Sequence, residues 1–434
     1  MAKEKYLLVF ILVLGIGLRL VNLNQSLWLD EASQALMSIK SVGEIWFGRP
    51  GDFHPPLFYL LSHYWMQINN SEVWLRLLSV LFGSTSVWLI YFLARNLAGE
   101  KFALFSALFL SINPYHVYYS QEFRGYSLLV MLGLLSMIFL QKRKYLWMAI
   151  TNTLILYTHY SGIFLIIAQF VICPVTVFYF PVSIFLYIPW FPRFIEQLRG
   201  GVNIDLYLPG WRNVLSLSPL KAVPEIIFKF VAGRINLFPK WIYAIYIAFV
   251  MGVVLWGIFL NRCEKRMLWI WFAVPVVMSL VVSIWLPQTQ PFRLLFVLPA
   301  LIMILAGAAI RLPKTFLTLV IYISVVGNVL YFTRPRLQRE QWRQSIEFLR
   351  SQNTTVVVNF FDKFAPFYWY APGLPVVTSD RVTSDIKSFW YLEYLTGLTD
   401  PENIFKKEME NETMSIVETR NFEGVGLMYK YTRL

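Results

Sequence analysis

The stretch YLLVFILVLGIGLRLVNLNQSLWLDEA, residues 6–32, joins a long apolar run to a pair of acids. Residues 6–23 are almost wholly apolar, which is long enough for a helix to cross the hydrocarbon core of a bilayer. Asp30 and Glu31 follow this run, close to Trp28. Charges inside lipid are costly, so acids at the point where the chain leaves the apolar run indicate a position with a special role.

The same composition extends over most of the chain. Of the 434 residues, 57% are hydrophobic and 15% are charged, whereas a soluble domain carries about 25% charged residues. We therefore predict an all-α polytopic membrane bundle of about eleven transmembrane helices. The apolar runs lie near 6–23, 74–95, 102–119, 125–140, 146–159, 161–173, 175–191, 241–260, 267–286, 293–310 and 315–333.

The distribution of basic residues orients these runs. The net charge of +13 is explained by basic helix ends and by anionic lipid head groups, so nucleic acid is not expected as a partner. With the N-terminus in the cytoplasm, short basic turns fall inside, and the long segments 24–73, 192–240 and 334–434 fall outside. The basic turns carry Arg95 and Lys101; Lys142, Arg143 and Lys144; Arg262, Lys265 and Arg266; Arg311 and Lys314. Arg334, Arg336, Arg339 and Arg343 after the last run oppose this orientation.

The chain divides into a transmembrane domain, residues 1–333, and a small outer domain, residues 334–434. In REQWRQSIEFLRSQ, residues 339–352, the spacing of Trp342, Ile346 and Leu349 predicts a helix. Apolar and β-branched runs separated by turn residues predict strands in TTVVVNFF, LPVVTS, SIVETR and VGLMYKY. The C-terminal part is therefore predicted to be an α/β domain outside the membrane.

Polar residues collect at the predicted outer ends of the apolar runs. The segments that carry them are GDFHPPLFYLLSHYWMQ with His54, NPYHVYYSQEFRGYS with Glu122 and Arg124, YTHYSG with His159, and PQTQPFRLLFVLP with Arg293. In the first of these, Pro55 and Pro56 favour a helix start, and the residues after them predict a helix lying in the membrane interface. A helix that merely covers the bundle would show the same pattern.

Six segments in this order resemble the GT-C type of polytopic glycosyltransferases, in particular the family 39-like proteins related to protein O-mannosyltransferases and the lipid A aminoarabinose transferase. They are LWLDEA, HPPLFYLLSHYW, NPYHVYYSQEFRGYSLL, LYTHYSGIFLIIAQ, IPWFPRF and RLLFVLPAL. The resemblance implies a membrane glycosyltransferase that moves a monosaccharide from a polyprenyl-phosphate carrier to a lipid, glycan or protein acceptor. It further implies a prokaryotic cell membrane, with the site on the non-cytoplasmic face.

The resemblance also assigns roles to residues. A lipid phosphate is already a good leaving group, so the site needs one base and cations for the phosphate. Asp30 is the expected base. Glu31 could take that role instead, hold a sugar hydroxyl or bind an ion, and Glu122 is a second acid that orients the acceptor or a metal. Arg124, Arg293, His54 and His159 are the expected contacts to phosphate or sugar. The family often has Arg-Tyr where this chain has Arg293-Leu294, so a tyrosine contact to the phosphate is not expected.

Other interpretations remain open at this point. The acids could cap a solvated loop, Glu122 and Arg124 could form a structural ion pair, and Arg293 could reach lipid head groups. Arg19 is expected to do the same or to pair with the acids. A divalent cation, Mg²⁺ or Mn²⁺, is not required by the pattern, but Asp30, Glu122 and His54 could bind one. A lipid or sugar transporter, a polymerase or ligase that uses a lipid-linked oligosaccharide, and a non-catalytic envelope scaffold are the alternative functions.

Overall fold

The computed structural model describes residues 2–47, 53–203, 218–260, 265–286, 288–360, 362–382, 386–411 and 414–433. Parts of the predicted outer loops 24–73 and 192–240, and Arg262 in a predicted basic turn, lie outside the described residues. The N-terminal three quarters of the chain is helical. The helices are α1 Ala2–Leu20, α2 Leu29–Ser38, α3 Val42–Phe47, α4 Leu57–Met66, α5 Glu72–Ala98, α6 Glu100–Ile112, α7 Pro114–Ser120, α8 Tyr126–Gln141, α9 Tyr145–Thr158, α10 Ile163–Ile172, α11 Phe180–Tyr187, α12 Phe191–Val202, α13 Pro219–Ala232, α14 Lys240–Leu260, α15 Arg266–Val282, α16 Leu298–Arg311 and α17 Pro313–Thr333.

The bundle packs around α5, α6, α8 and α16, which share one hydrophobic core. Helix α16 is almost completely buried, whereas α14 exposes large apolar side chains such as Trp241, Ile245 and Phe259. Exposed apolar side chains on an outer helix are typical of a surface that faces lipid. Together with its long apolar helices, this identifies the chain as an integral membrane protein.

The predicted count of eleven spans is not confirmed. Five helical runs in the described residues are long and apolar enough to cross a membrane. Several of the other predicted spans are shortened by breaks. The run 102–119, for example, stops at Ile112, because Asn113 caps a new helix and Pro114 begins it: the Asn113 Oδ1 accepts a bond from the His116 N–H at 2.8 Å.

The C-terminal part forms a five-stranded sheet with the strand order β2-β1-β3-β5-β4. Strands β1, β2 and β3 are parallel, and β5 pairs antiparallel with β3 and β4. The predicted helix and the four predicted strands are present, and β3 was not predicted. Its elements are α18 Trp342–Gln352, β1 Thr355–Val358, α19 Ala365–Tyr370, β2 Val376–Thr378, β3 Ser388–Leu392, α20 Thr396–Thr399, α21 Ile404–Asn411, β4 Met414–Phe422 and β5 Gly426–Arg433.

Both faces of this sheet are covered. Val356, Val358 and Trp390 pack in one apolar cluster with α18, while Val357 and Tyr391 pack in a second cluster with α21. The alternation follows from the two-residue period of a strand. It also explains why β3 lacks an apolar–polar alternation in the sequence, since both of its faces are buried.

The C-terminal domain docks onto one end of the helical bundle. Helix α2 packs against α19, and Leu29 contacts the first apolar cluster of the domain. The Tyr370 hydroxyl accepts a bond from the Leu27 N–H at 2.6 Å and donates to Glu72 at 3.1 Å. Helix α2, which carries the acid pair, is therefore held between the bundle and this domain.

Candidate active site

The two neighbouring acids of α2 have different surroundings. The side chain of Glu31 is completely buried, and its Oε1 accepts bonds from Arg76 Nε at 2.9 Å and from the Phe123 N–H at 2.8 Å. Its Oε2 pairs with Arg76 Nη2. Burial alone would raise the pKa of Glu31, but the Arg76 guanidinium outweighs it and holds the pKa below its ordinary value.

Both carboxylate oxygens of Glu31 are therefore occupied and buried, so its geometry favours a structural role over the predicted catalytic one. The pair instead ties α2 to α5 and to the turn after α7. Arg76 also donates to the backbone carbonyls of Leu23 at 2.8 Å and Ser26 at 2.9 Å, which fixes the segment that leads into α2. Glu31 is thus a structural residue that shapes the site.

Asp30 lies beside it but faces a cavity. Its side chain is 41% exposed, and its Oδ2 accepts from Arg124 Nη1 at 2.9 Å. A cavity of about 160 Å³ is bounded by Asp30 and Glu122 together with aromatic and basic side chains. Its other lining residues are Trp28, Tyr115, Tyr119, Tyr126, Lys229, Arg234, Gln290, Pro291 and Phe292. The structure therefore brings the first and third predicted acids to one cavity.

Glu122 is almost fully buried at the edge of this cavity. Its Oε2 accepts from Arg339 Nη1 at 2.6 Å. The same guanidinium donates to the hydroxyl and to the carbonyl of Tyr118, and it stacks on the Tyr118 ring at 3.7 Å. Glu122 and Arg124 each form an ion pair with another segment, Glu122 with Arg339 and Arg124 with Asp30.

The predicted basic residues meet on the other side of Asp30. Arg124 Nη2 lies 2.8 Å from His54 Nε2, and the ring of His159 lies 6.0 Å from the ring of Tyr126. Arg293 is within electrostatic range of Arg124, Asp30 and Tyr126. We name His54, Arg124, His159 and Arg293 the basic corner.

His159 has a defined orientation in the basic corner. It follows the last residue of α9, and its Nδ1 accepts from the Ser161 N–H at 3.2 Å. The Ser161 hydroxyl in turn donates to the Arg293 carbonyl at 2.7 Å. Because Nδ1 is an acceptor, the neutral ring carries its proton on Nε2 and can donate it.

The candidate metal ligands Asp30, Glu122 and His54 each lie next to a guanidinium. In the part of the chain that the structure describes, no three His, Cys, Asp or Glu side chains come together in a way that could hold an ion. Asp30 and His54 both contact Arg124, and Glu122 contacts Arg339. A guanidinium next to each candidate ligand is a poor setting for a divalent cation, since like charges repel.

Two arginines that shape the site carried no signal in their local sequence. Arg76 lies 45 positions from Glu31 and Arg339 lies 217 positions from Glu122, so no short motif joins them. Arg19 was expected to reach head groups or the acids. It is instead completely buried and donates to the carbonyls of Gly15 at 2.7 Å and Ser111 at 2.9 Å.

Comparison with known proteins agrees with this architecture. Residues 53–196 match the family model described as dolichyl-phosphate-mannose-protein mannosyltransferase. No curated protein sequence gives a significant match. The chain is similar in structure to ArnT from Cupriavidus metallidurans in the apo state, with a TM-score of 0.60 and 14% identity over 99% of this chain and 98% of that one.

Two further structures show the same likeness. ArnT from Cupriavidus metallidurans bound to undecaprenyl phosphate has a TM-score of 0.59 and 13% identity, covering 98% of this chain and 97% of that one. The archaeal oligosaccharyltransferase AglB from Archaeoglobus fulgidus, in complex with an inhibitory peptide and a dolichol-phosphate, has a TM-score of 0.55 and 10% identity, covering 98% and 74%. The predicted resemblance is confirmed, and the chain has the fold of the GT-C membrane glycosyltransferases.

Proposed function

We propose that this protein transfers a monosaccharide from a polyprenyl-phosphate carrier to an acceptor at the non-cytoplasmic face of the membrane. The observation that carries this proposal is the position of Asp30. Its partly exposed carboxylate lies between a small polar cavity and the basic corner, in ion-pair contact with Arg124. One base next to a cluster of cations is the minimum that a lipid-phosphate leaving group requires.

The basic corner suits the carrier phosphate. Arg124 and Arg293 offer forked guanidinium donors, and His54 and the Nε2 of His159 add nitrogen atoms near them. ArnT bound to undecaprenyl phosphate supports a carrier of this chemistry, since it has the same fold as this chain. We therefore assign the phosphate to the basic corner.

An apolar groove next to the basic corner suits the isoprenoid tail. The groove encloses about 630 Å³ and begins at Tyr160, the residue after His159. The Tyr160 hydroxyl donates to Gln197, which donates to the His54 carbonyl at 3.4 Å, so groove and corner are joined. The remaining lining residues are Leu156, Ile163, Phe180, Ile184, Tyr187, Ile188, Phe191, Pro192 and Phe194.

The sugar then lies in the cavity between the acids. Trp28 lines this cavity, and its indole N–H has no hydrogen-bond partner among the described residues. Trp28 and the surrounding tyrosines also offer aromatic faces to the sugar ring. Glu122 would orient the sugar or the acceptor from the opposite wall.

The reaction would be a single displacement. Asp30 takes the proton of the acceptor hydroxyl or amine, and the acceptor atom bonds to the anomeric carbon. The bond from that carbon to the phosphate oxygen breaks, and its electron pair leaves with the phosphate, which the basic corner stabilises. Attack opposite the leaving group inverts the anomeric configuration. Asp30 is the assigned base because its side chain is 41% exposed, whereas Glu31 and Glu122 are buried in their arginine contacts.

The test is the substitution Asp30→Asn. We expect membranes with the wild-type protein to release undecaprenyl phosphate from one of a panel of radiolabelled undecaprenyl-phosphate monosaccharides. Asp30→Asn should reduce this release by at least ~10²-fold, as expected for loss of a general base. Binding of undecaprenyl phosphate to the purified variant should remain within about threefold, since the basic corner is intact.

Asp380→Asn is the matched control, because Asp380 is exposed in the C-terminal domain. It should leave release unchanged. Release by Asp30→Asn at the wild-type rate would show that another group is the base. Carrier flux across proteoliposomes without any release by the wild-type protein would favour a transporter. Addition of EDTA tests the metal requirement in the same assay, and full loss of release would show that a divalent cation is needed.

A further inference from the structure

The first residues of the C-terminal domain reach into the site that the helical bundle forms. Arg339 is 5% exposed and pairs with Glu122, with 2.6 Å between Nη1 and Oε2. The next residue, Glu340, contacts the segment that carries Asp30. Its Oε2 accepts from the Leu29 N–H at 3.3 Å, directly before Asp30. The two adjacent residues therefore hold the two walls of the cavity.

Further contacts fix this dipeptide. The Glu340 carbonyl accepts from the Ser26 hydroxyl, and the Glu340 Oε2 also accepts from Trp342 Nε1 at 2.6 Å. The Arg339 backbone N–H donates to the side-chain oxygen Oε1 of Gln25 at 2.8 Å. The backbone on both sides of Glu340 is thus hydrogen-bonded to residues 25–26, just before α2. A shift of this dipeptide would therefore move the start of α2.

The electrostatics of Glu122 depend on Arg339. Burial raises the pKa of Glu122, and Arg339 is the strongest opposing influence. Of the other charged groups that face it, Arg124 and Arg234 also lower the pKa, and Glu31 raises it. Removing the Arg339 guanidinium therefore takes away the largest single influence that favours the ionised carboxylate.

The ion pair between Arg343 and Glu72 lies near the Arg339–Glu122 pair but away from the cavity. Arg343 Nη1 pairs with Glu72 at 2.9 Å, and this pair joins α18 to α5. Both of its side chains are partly exposed, and neither residue lines the cavity. Docking of the domain therefore already has one ion pair that does not contact an acid of the site.

We infer that Arg339 is a positioning residue of the transfer reaction, which holds Glu122 in the orientation needed at the cavity, and that Glu340 secures α2 in register with it. The C-terminal domain is then part of the active site and not only a docked module. This inference rests on the proposed function, because Glu122 is given its role there.

The experiment compares Arg339→Gln with Arg343→Gln in the undecaprenyl-phosphate release assay over a range of pH. Arg339→Gln should lower release at neutral pH by roughly tenfold or more and move the acidic limb of the pH–rate profile to higher pH, because Glu122 then takes up its proton more easily. Arg339→Lys keeps a cation and should restore part of both effects. Arg343→Gln should change release by no more than about threefold and leave the limb in place.

Glu122→Gln identifies the contribution of Glu122 to the limb. In this background Arg339→Gln should no longer displace the limb, while the limb that comes from Asp30 as the base should remain. If Arg339→Gln does not fold, Arg339→Lys carries the test alone, with a smaller displacement of the limb as the expected result. The inference would be overturned if the acidic limb of the pH–rate profile stayed in place in every Arg339 variant and undecaprenyl-phosphate release fell only as much as in Arg343→Gln. The proposed function would still stand in that case. A wild-type protein without any release would overturn the proposed function, and this inference with it.

Discussion

Asp30 and Glu31 are adjacent on α2, and about 100° of helical rotation separates their side chains. One side chain is 41% exposed at the cavity, and the other is completely buried against Arg76. A sequence pattern records that two acids follow an apolar run, but it does not record which of them turns toward the protein. The motif was therefore enough to locate the candidate site and not enough to show which of its two acids faces the cavity and which is buried.

The buried pair should dominate local stability. Glu31→Ala leaves the Arg76 guanidinium buried without its carboxylate, which we expect to cost about 3–5 kcal/mol. Glu196→Ala is the control, because Glu196 is 61% exposed in its pair with Arg193 and such pairs contribute about 0–1 kcal/mol. Thermal unfolding of the purified proteins in detergent measures both. Equal losses in the two variants would contradict the structural role of Glu31.

Glu340 should make the stability of the domain junction depend on pH. Burial raises the pKa of Glu340 to about 7 from an ordinary value of 4.5, although bonds from Trp342, Leu29 and Tyr394 oppose the shift. The folded protein therefore binds the proton more tightly than the unfolded chain. The stabilisation is fully present below pH 4.5 and is lost as pH rises through about 7.

Glu340→Gln removes this dependence while keeping the bonds, since an amide oxygen can accept from Trp342 and Leu29 and the amide nitrogen can donate to Tyr394. Relative to the wild type, its apparent melting temperature should rise by a few degrees between pH 5 and pH 8. Glu347→Gln, an exposed position on α18, should show no such change. Parallel melting curves for Glu340→Gln and wild type would contradict the expectation.

At the scale of elements, apolar runs located the helices well and their ends poorly. Every predicted run falls on a helix, but polar residues inside the run decided where it breaks, as at Asn113 and Pro114. The predicted interfacial helix is α4, and it buries Phe58, Tyr59 and Ser62 while Leu61 and Tyr64 are exposed. Nearly all of its side chains are apolar, so periodicity alone did not show which face is inward.

Helix contacts that are possible only because a glycine has no side chain are equally difficult to predict from the sequence. Gly83 on α5 faces α7 so closely that an added Cβ would lie 2.5 Å from the Ser120 Cβ. Small residues at such crossings allow membrane helices to approach each other. The position matters further because Ser120 also accepts a bond from Arg19 Nε at 3.2 Å.

Gly83→Ala should therefore destabilise the protein by about 1–3 kcal/mol through overpacking. Gly252→Ala is the matched control on α14, where nothing lies within 4 Å of the added Cβ. This control should be neutral or slightly stabilising, since alanine is favoured in helices by up to about 1 kcal/mol. Melting temperatures in the same detergent compare the two. A Gly83→Ala protein as stable as Gly252→Ala would show that α5 and α7 can move apart freely.

At the scale of the whole molecule, the positive-inside bias counts the arginines after the last helix against the predicted outer position of the C-terminal domain. Arg339 and Arg343 are instead paired with Glu122 and Glu72. Arg336 donates to the Asn236 carbonyl at 3.1 Å. Basic residues that are bonded to the protein do not report on membrane orientation in the way that free basic turns do. The sequence contained the charges but not their partners, which lie more than 200 positions away in two of these contacts.

These contacts also fix which parts of the chain share a side of the membrane. The domain touches the cavity through Arg339 and Glu340, so domain and cavity must face the same compartment. Helix α8 begins at Tyr126 beside this cavity and ends at Gln141, and its 16 residues span about 24 Å at ~1.5 Å per residue. The exposed basic turn 142–144 follows at its far end. From the positive-inside bias we expect that turn in the cytoplasm and the domain outside.

Single cysteines in a protein without its two native ones test this orientation. Ser351→Cys on α18 and Lys144→Cys in the basic turn both occupy exposed positions. In intact cells a membrane-impermeant maleimide should label Ser351→Cys and not Lys144→Cys, and in broken cells it should label both. Labelling of Lys144→Cys alone in intact cells would reverse the assignment of sides. Because the cavity and the domain are joined, that result would place Asp30 in the cytoplasm and remove the outer-face reaction from the proposal.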